Sequence, residues 1–291
     1  MTAGDITANM PTGKAAPIGI FDSGVGGLSV LRHIHQHLPH EDLLYFADTA
    51  YAPYGDKSES VISARALGVA EFLLQRGMKA FVVACNTATA AAIQAIRAAY
   101  PALPVIGIEP GLKPAALQTR SKIVGVLATK VTLTSARLIA LQQQIAETSG
   151  VQFLLQPCVG LVDQIEKGEL RSAGTALLIQ RYVSPLIAQG ADTLVLGCTH
   201  YPFVRPLIEE IVHKINGKPV AIIETGDAVS RQLTKVLAEA ELLQKNQRES
   251  SLIAFTTGSL SALETAFSNL LHLHPAVLHV ETMSMSEKSR H

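Results

Sequence analysis

Two cysteines in this chain stand where a thiol can do chemistry. Phe81-Val-Val-Ala-Cys-Asn-Thr and Leu194-Val-Leu-Gly-Cys-Thr-His are both apolar strand-like runs that end in Cys followed by two polar residues. A strand ending just before a helix presents its last side chains to free helix N–H groups and a positive partial charge, which favour a thiolate. In parallel α/β sheets that edge is also where ligands bind. Two thiols facing each other across a cleft suit inversion of a carbon centre, in which one group removes a proton and the other delivers one from the opposite face. Each Cys taken alone also reads as a small buried hydrophobe, but matched positions in two repeats favour the chemical reading. Cys158, after Gln156-Pro157, has no repeat partner and is expected to be structural.

The repeat extends beyond the cysteines. Ile18-Gly-Ile-Phe-Asp-Ser-Gly and Val124-Gly-Val-Leu-Ala-Thr-Lys both read as a strand and turn opening a domain. The offsets are 106 residues from Ile18 to Val124 and 113 residues from Cys85 to Cys198. Between them, continuous apolar runs alternate with amphipathic segments, which is the pattern of parallel strands covered on both faces. The predicted fold is α/β, with two pseudo-symmetric doubly wound parallel-sheet domains facing across a cleft. One domain comprises residues 18–112 with 225–291, the tail returning one more helix and strand. The other comprises residues 113–224. Residues 1–17 are expected to be a flexible arm, and 272–291 a loosely held end.

Composition bounds the function classes. The chain has 291 residues, 24 basic and 24 acidic, so net charge supplies no attraction to nucleic acid or an anionic membrane. No apolar run approaches the ~20 residues of a membrane span, and the first 17 residues do not read as a signal peptide. Three widely spaced cysteines form neither a disulfide framework nor a paired metal motif, which points to a reducing cytosol. His33, His35, His37 and His40 suggest a metal at first sight, but no carboxylate or Cys shares their helical face, and a solvated surface is expected. The later His272, His274, His279 and His291 have no ligand pattern either. No metal and no cofactor is called for.

The motifs Asp22-Ser-Gly-Val-Gly-Gly-Leu, Pro53-Tyr-Gly, Ala84-Cys-Asn-Thr-Ala-Thr and Gly197-Cys-Thr-His-Tyr-Pro resemble those of the bacterial glutamate racemases, in matching order from Ile18 to about Gly258. The resemblance implies cofactor-independent, two-base interconversion of L- and D-glutamate, supplying D-glutamate for peptidoglycan, in a cytoplasmic enzyme that forms homodimers. It implies Cys85 and Cys198 as the acid/base pair, with Cys85 serving the D enantiomer and Cys198 the L enantiomer. It also implies Asp22, Ser23, Tyr54, Gly55, Asn86, Thr87, Thr199 and His200 as substrate-binding positions.

Physical readings accompany each assignment. Asp22 could cap the next helix, or hold an ammonium or orient a thiol. Gly24, Gly26 and Gly27 fit tight turning and close approach to a small carboxylate better than a phosphate loop, since no Lys-[Ser/Thr] follows. Asn86, Thr87 and Thr199 offer compact donors for carboxylates. His200 could be a proton partner of Cys198. Asp48 is a candidate for the rim of the site. Thr129 and Thr132 could line the pocket. Asp163 stands where many family members carry Glu, one methylene longer. Rival readings are a superfamily racemase or isomerase for aspartate or a related substrate, a non-catalytic amino-acid-binding protein, and a Cys85–Cys198 redox switch.

Overall fold

The strands form because their residues are apolar without interruption. Β-strands β1 (Ile18–Asp22), β2 (Leu43–Ala47) and β3 (Ala80–Val83) are buried at every position. The computed structural model describes residues 13–246 and 249–281. With β4 (Val105–Gly107), these strands begin a parallel sheet. A second parallel sheet comprises β5 (Ile123–Ala128), β6 (Gln152–Pro157), β7 (Thr193–Gly197) and β8 (Ala221–Ile223). The chain then returns to the first sheet through β9 (Leu252–Thr256) and β10 (Ala276–His279).

The sheet orders are β10-β9-β2-β1-β3-β4 and β6-β5-β7-β8. Matching β1 to β5, β2 to β6, β3 to β7 and β4 to β8 makes the two four-strand orders identical. Cys85 follows β3 and Cys198 follows β7, so the two thiols occupy equivalent topological places. In each order the chain reverses direction beside the first strand, which opens a crevice at the carboxyl ends of the strands.

Helices cover both faces of each sheet. They are α1 (Leu28–His37), α2 (Glu59–Leu74), α3 (Asn86–Ala99), α4 (Leu112–Gln118), α5 (Lys130–Thr134), α6 (Ala136–Ser149), α7 (Leu161–Glu166), α8 (Ala173–Ala188), α9 (Arg205–Asn216), α10 (Gly226–Glu239) and α11 (Leu260–Leu271). Alternating strand residues divide between two cores, as the pleat requires. Ile18, Ile20, Tyr45 and Val82 pack on one face of the first sheet; Phe21, Phe46, Phe81 and Val83 pack on the other. The second sheet repeats the arrangement, with Val124 and Val126 opposite Leu127 and Leu194.

Three expectations change. The tail contributes two strands, and β10 lies inside the stretch expected to be loosely held. Its exposed ends weaken the apolar signal that marks the interior strands. Residues 282–291 lie outside the described residues, as do 1–12 of the expected arm. Residues 13–17 are fastened: Ala16 is buried, and Lys79 Nζ donates to the Lys14 carbonyl at 2.6 Å while pairing with Glu41 at 2.5 Å. Finally, the histidine face of α1 is solvated only in part: His37 is exposed, but His33 is not. The helix packs on α10, leaving His33 partly buried with a lowered pKa, burial being the main cause, and His37 3.4 Å from Asp227.

Candidate active site

A small cleft of ≈ 80 Å³ opens where the carboxyl ends of the two sheets meet. One water needs roughly 10–15 Å³ on this measure, so the space suits a molecule of small amino-acid size. Cys85 from the first sheet and Cys198 from the second both line it, both nearly buried. All three cysteines are free thiols.

The two thiols sit in unlike surroundings. Cys85 caps α3, accepting from the Ala88 N–H at 3.4 Å, and its sulfur lies 3.6 Å from Ser23 Oγ. Burial pushes this thiol up, the Asp22 carboxylate adds to the effect, and the Ala88 and Ser23 hydrogen bonds oppose it. Desolvation outweighs the helix terminus, contrary to the sequence argument that the terminus would activate the thiol. Cys198 instead lies 3.7 Å from His200 Nδ1. His200 Nε2 is 2.5 Å from Glu166 Oε1. Desolvation disfavours a charged His200, but its hydrogen bonds with Cys198 and Glu166 prevail and hold it well above its ordinary value. Burial acts likewise against an ionised Glu166, yet His200 and the Val25 N–H hold its carboxyl below its usual range.

Residues from opposite sheets meet around this pair. Glu166, at the end of α7, also accepts from the Val25 N–H at 2.9 Å. Ser29 Oγ donates to the Thr199 carbonyl at 2.8 Å, and Thr199 Oγ1 donates to Asp22 Oδ1 at 3.3 Å. Across the cleft, Thr87 Oγ1 lies 3.0 Å from Thr129 Oγ1, which donates to Thr132 Oγ1 at 3.0 Å.

Of the residues named from the sequence, Ser23, Tyr54, Gly55, Asn86 and Thr87 line the cleft from the first sheet. Thr129, Asp163, Thr199 and His200 line it from the second. Three others stand behind the wall. Thr132 is buried behind Thr129. Asp22 is fully buried; its Oδ2 accepts from the Gly24 N–H at 2.9 Å, and burial pushes its carboxyl up against the opposing influence of His200. Asp48 is fully buried beneath Tyr54 rather than at the rim, because its carboxylate answers the buried Arg65. Cys158, expected to be purely structural, lines the cleft while its thiol donates to the Gln156 carbonyl at 3.5 Å. Both polar atoms of the Asn86 side chain are buried in this wall without a protein partner, an arrangement suited to a polar ligand.

The family model described as Asp/Glu/Hydantoin racemase matches residues 18–233. The chain is 54% identical over 229 residues to a glutamate racemase of Stutzerimonas stutzeri, covering 79% of this chain and 84% of that one. It is 50% identical over 256 residues to a glutamate racemase of Ectopseudomonas mendocina, covering 88% and 95%. The chain belongs to the glutamate racemases of the Asp/Glu/Hydantoin racemase family. Solved structures agree with that membership. A glutamate racemase of Bacillus anthracis superposes with a TM-score of 0.82 at 33% identity, over 92% of this chain and 98% of that one. A Francisella tularensis glutamate racemase in complex with D-glutamate gives 0.79 at 30%, over 92% and 98%.

For this glutamate racemase family member, the residue that sequence reading passed over is Glu166. The sequence points instead to Asp163, three positions earlier in the same short helix. In the structure Asp163 is exposed at the rim, and it is Glu166 that turns inward to His200. A helix of six residues is too short for its period to separate the two carboxylates, so no signal in the sequence singled out Glu166. The glycine loop also has a different reason. The close neighbours of Gly24 and Gly26 are the protein's own Glu166 carboxylate and His200 ring, so the bare backbone there makes room for these two side chains. A Cβ at position 26 would collide with the His200 ring and lie 2.7 Å from Thr199 Oγ1. Gly26→Ala is therefore expected to lower kcat about 10²-fold by displacing His200, with the circular dichroism spectrum of the folded chain preserved; steady-state kinetics checks it.

Proposed function

We propose that the chain interconverts L- and D-glutamate by two-base proton transfer, without a cofactor. The observation that carries this reading is that each sheet delivers one free thiol to the same small cleft, at topologically equivalent places. One sulfur, as thiolate, takes the α-proton; the other, as thiol, delivers a proton to the opposite face, and the reverse reaction exchanges the roles. The unlike surroundings support a division of labour. Cys85 is kept protonated in the resting site by burial. The Cys198 sulfur instead stands beside His200, whose charge Glu166 supports. We assign Cys198 to the L enantiomer and Cys85 to the D enantiomer.

Asn86, Thr87 and Thr129 supply compact donors for carboxylates, and Thr199 and Ser23 add hydroxyls beside the sulfurs. Asp22 balances the site from behind: it ties the glycine loop to Thr199 and raises the barrier to ionising Cys85. The carbanion-like transition state is stabilised by these preorganised donors in the cleft.

The physiological reading is supply of D-glutamate for peptidoglycan by a cytoplasmic homodimer. It is supported by membership of the family. The same sheet membership supports residues 18–112 with 225–281 and residues 113–224 as the two lobes of the cleft.

The test is chirality-resolved turnover of L-glutamate and L-aspartate in deuterium oxide. Glutamate inverted with solvent deuterium at its α-carbon, and aspartate turned over far more slowly, is the expected result. Faster aspartate turnover, or inversion with the original hydrogen retained, would overturn it.

A further inference from the structure

Asp48 lies outside the cleft, yet all four of its acceptor positions are filled by groups that converge on one cleft wall. Arg65, on α2, donates Nε to Oδ2 at 2.9 Å and Nη2 to Oδ1 at 2.6 Å. Tyr54 Oη donates to Oδ2 at 2.5 Å. Thr257 Oγ1, from the turn after β9, donates to Oδ1 at 2.9 Å and accepts from the Ala50 N–H at 3.1 Å. The Arg65 guanidinium also stacks 3.8 Å over the Tyr51 ring, and Thr49 Oγ1 lies 2.7 Å from Thr256 Oγ1. The segment from Thr49 to Gly55 is thus held at its start by Thr256 and Thr257, remote in sequence, and near its end by Tyr54 on Asp48.

A buried ion pair is weak evidence of a stability role, since an apolar pair of similar volume often serves as well. Its geometric value is different: a planar fork bonded to both carboxylate oxygens fixes the carboxylate's plane. Here that plane sets the direction of the Tyr54 phenol, whose one proton is committed to Asp48. Tyr54 and Gly55 line the cleft, and a Cβ on Gly55 would stand 3.3 Å from Thr129 of the opposite lobe. A small rotation of Asp48 would therefore shift the Tyr54–Gly55 wall relative to Thr129 of the opposite lobe.

We propose that Arg65 and Thr257 are positioning residues that act through Asp48 to seat the Tyr54–Gly55 wall and so set the affinity for the amino-acid substrate. The inference rests on the racemase reading above. It makes the turn after β9 part of the site's construction, through a residue 209 positions from Asp48.

The experiment measures kcat and KM for both glutamate enantiomers, with thermal melting, for wild type, Arg65→Lys and Thr257→Val. Arg65→Lys keeps the charge and loses the fork; it is expected to raise KM about tenfold while kcat changes less than about threefold. Thr257→Val keeps the ion pair and removes one donor; it is expected to raise KM about threefold. A merely structural role would lower the melting temperature and the fraction of active enzyme while leaving KM at the wild-type value, and that outcome would overturn the proposal. Should Arg65→Lys fail to fold, Thr257→Val decides in the same way: a raised KM supports the proposal and an unchanged KM overturns it. A wild-type chain that does not turn over glutamate overturns the racemase reading and this inference together. Wild-type turnover with unchanged KM in the variants overturns this inference alone.

Discussion

Cys85→Ser and Cys198→Ser are each expected to lower racemisation by about 10³- to 10⁴-fold in both directions, the range of a positioned acid or base removed from the reaction. A serine hydroxyl is far less acidic than a thiol, so it is a much poorer source of the base form at neutral pH. The effect is symmetrical in overall rate because inversion needs both groups whichever enantiomer enters. It is asymmetrical in detail. Removing Cys198 leaves the His200–Glu166 pair beside a hydroxyl, whereas removing Cys85 leaves a hydroxyl beside Ser23 and the buried Asp22. Polarimetry of each enantiomer, with α-deuterium read by mass spectrometry, checks the result. Either variant retaining more than about a tenth of wild-type kcat/KM would remove that thiol from the mechanism.

Glu166→Gln carries an expectation as large as that of Gly26→Ala, a loss of about 10²-fold in kcat at neutral pH. The amide can still meet the His200 ring but cannot balance an imidazolium, so the charged form at Cys198 loses its support. The alkaline limb of the pH profile should move to lower pH, because Glu166 is one of the groups holding His200 well above 6.5. Asp163→Asn, at the exposed rim, is expected to cost at least about tenfold less than Glu166→Gln, as solvent screens a rim charge. A profile for Glu166→Gln that falls uniformly with no shift would show that Glu166 only packs.

The same pair links folding stability to pH. Glu166 is held below its ordinary 4.5, so its contribution is present above that value and is lost as pH falls through the lower folded value. His200 is raised, so its contribution is complete below 6.5 and is lost as pH rises through its folded value. Wild type should therefore resist denaturant best between these two limits, and Glu166→Gln should flatten both slopes.

Much of the architecture was readable in residue order alone. Continuous apolar runs such as Phe81–Ala84 and Leu194–Leu196 announce strands covered on both faces, and their recurrence announces a duplication. The orders β2-β1-β3-β4 and β6-β5-β7-β8 give that duplication a spatial form. The short elements were less legible. β10 is exposed at its ends, and α7 spans six residues, too few for an amphipathic period to declare itself.

Residue types and spacing by themselves determined that Cys85 and Cys198 are equivalent ends of equivalent strands, because covalent order and strand periodicity are local properties. Only the tertiary structure decided that they are chemically unequal. Cys85 is surrounded by Ser23 and the buried Asp22, while Cys198 has His200, backed by a glutamate from another helix that also binds the Val25 N–H of the opposite lobe. It likewise placed Asp48 behind the cleft wall, bound to Thr257. The readiness of a thiol to gain or lose a proton depends on desolvation and on charges within a few ångströms, and those neighbours are brought together by folding across long stretches of chain.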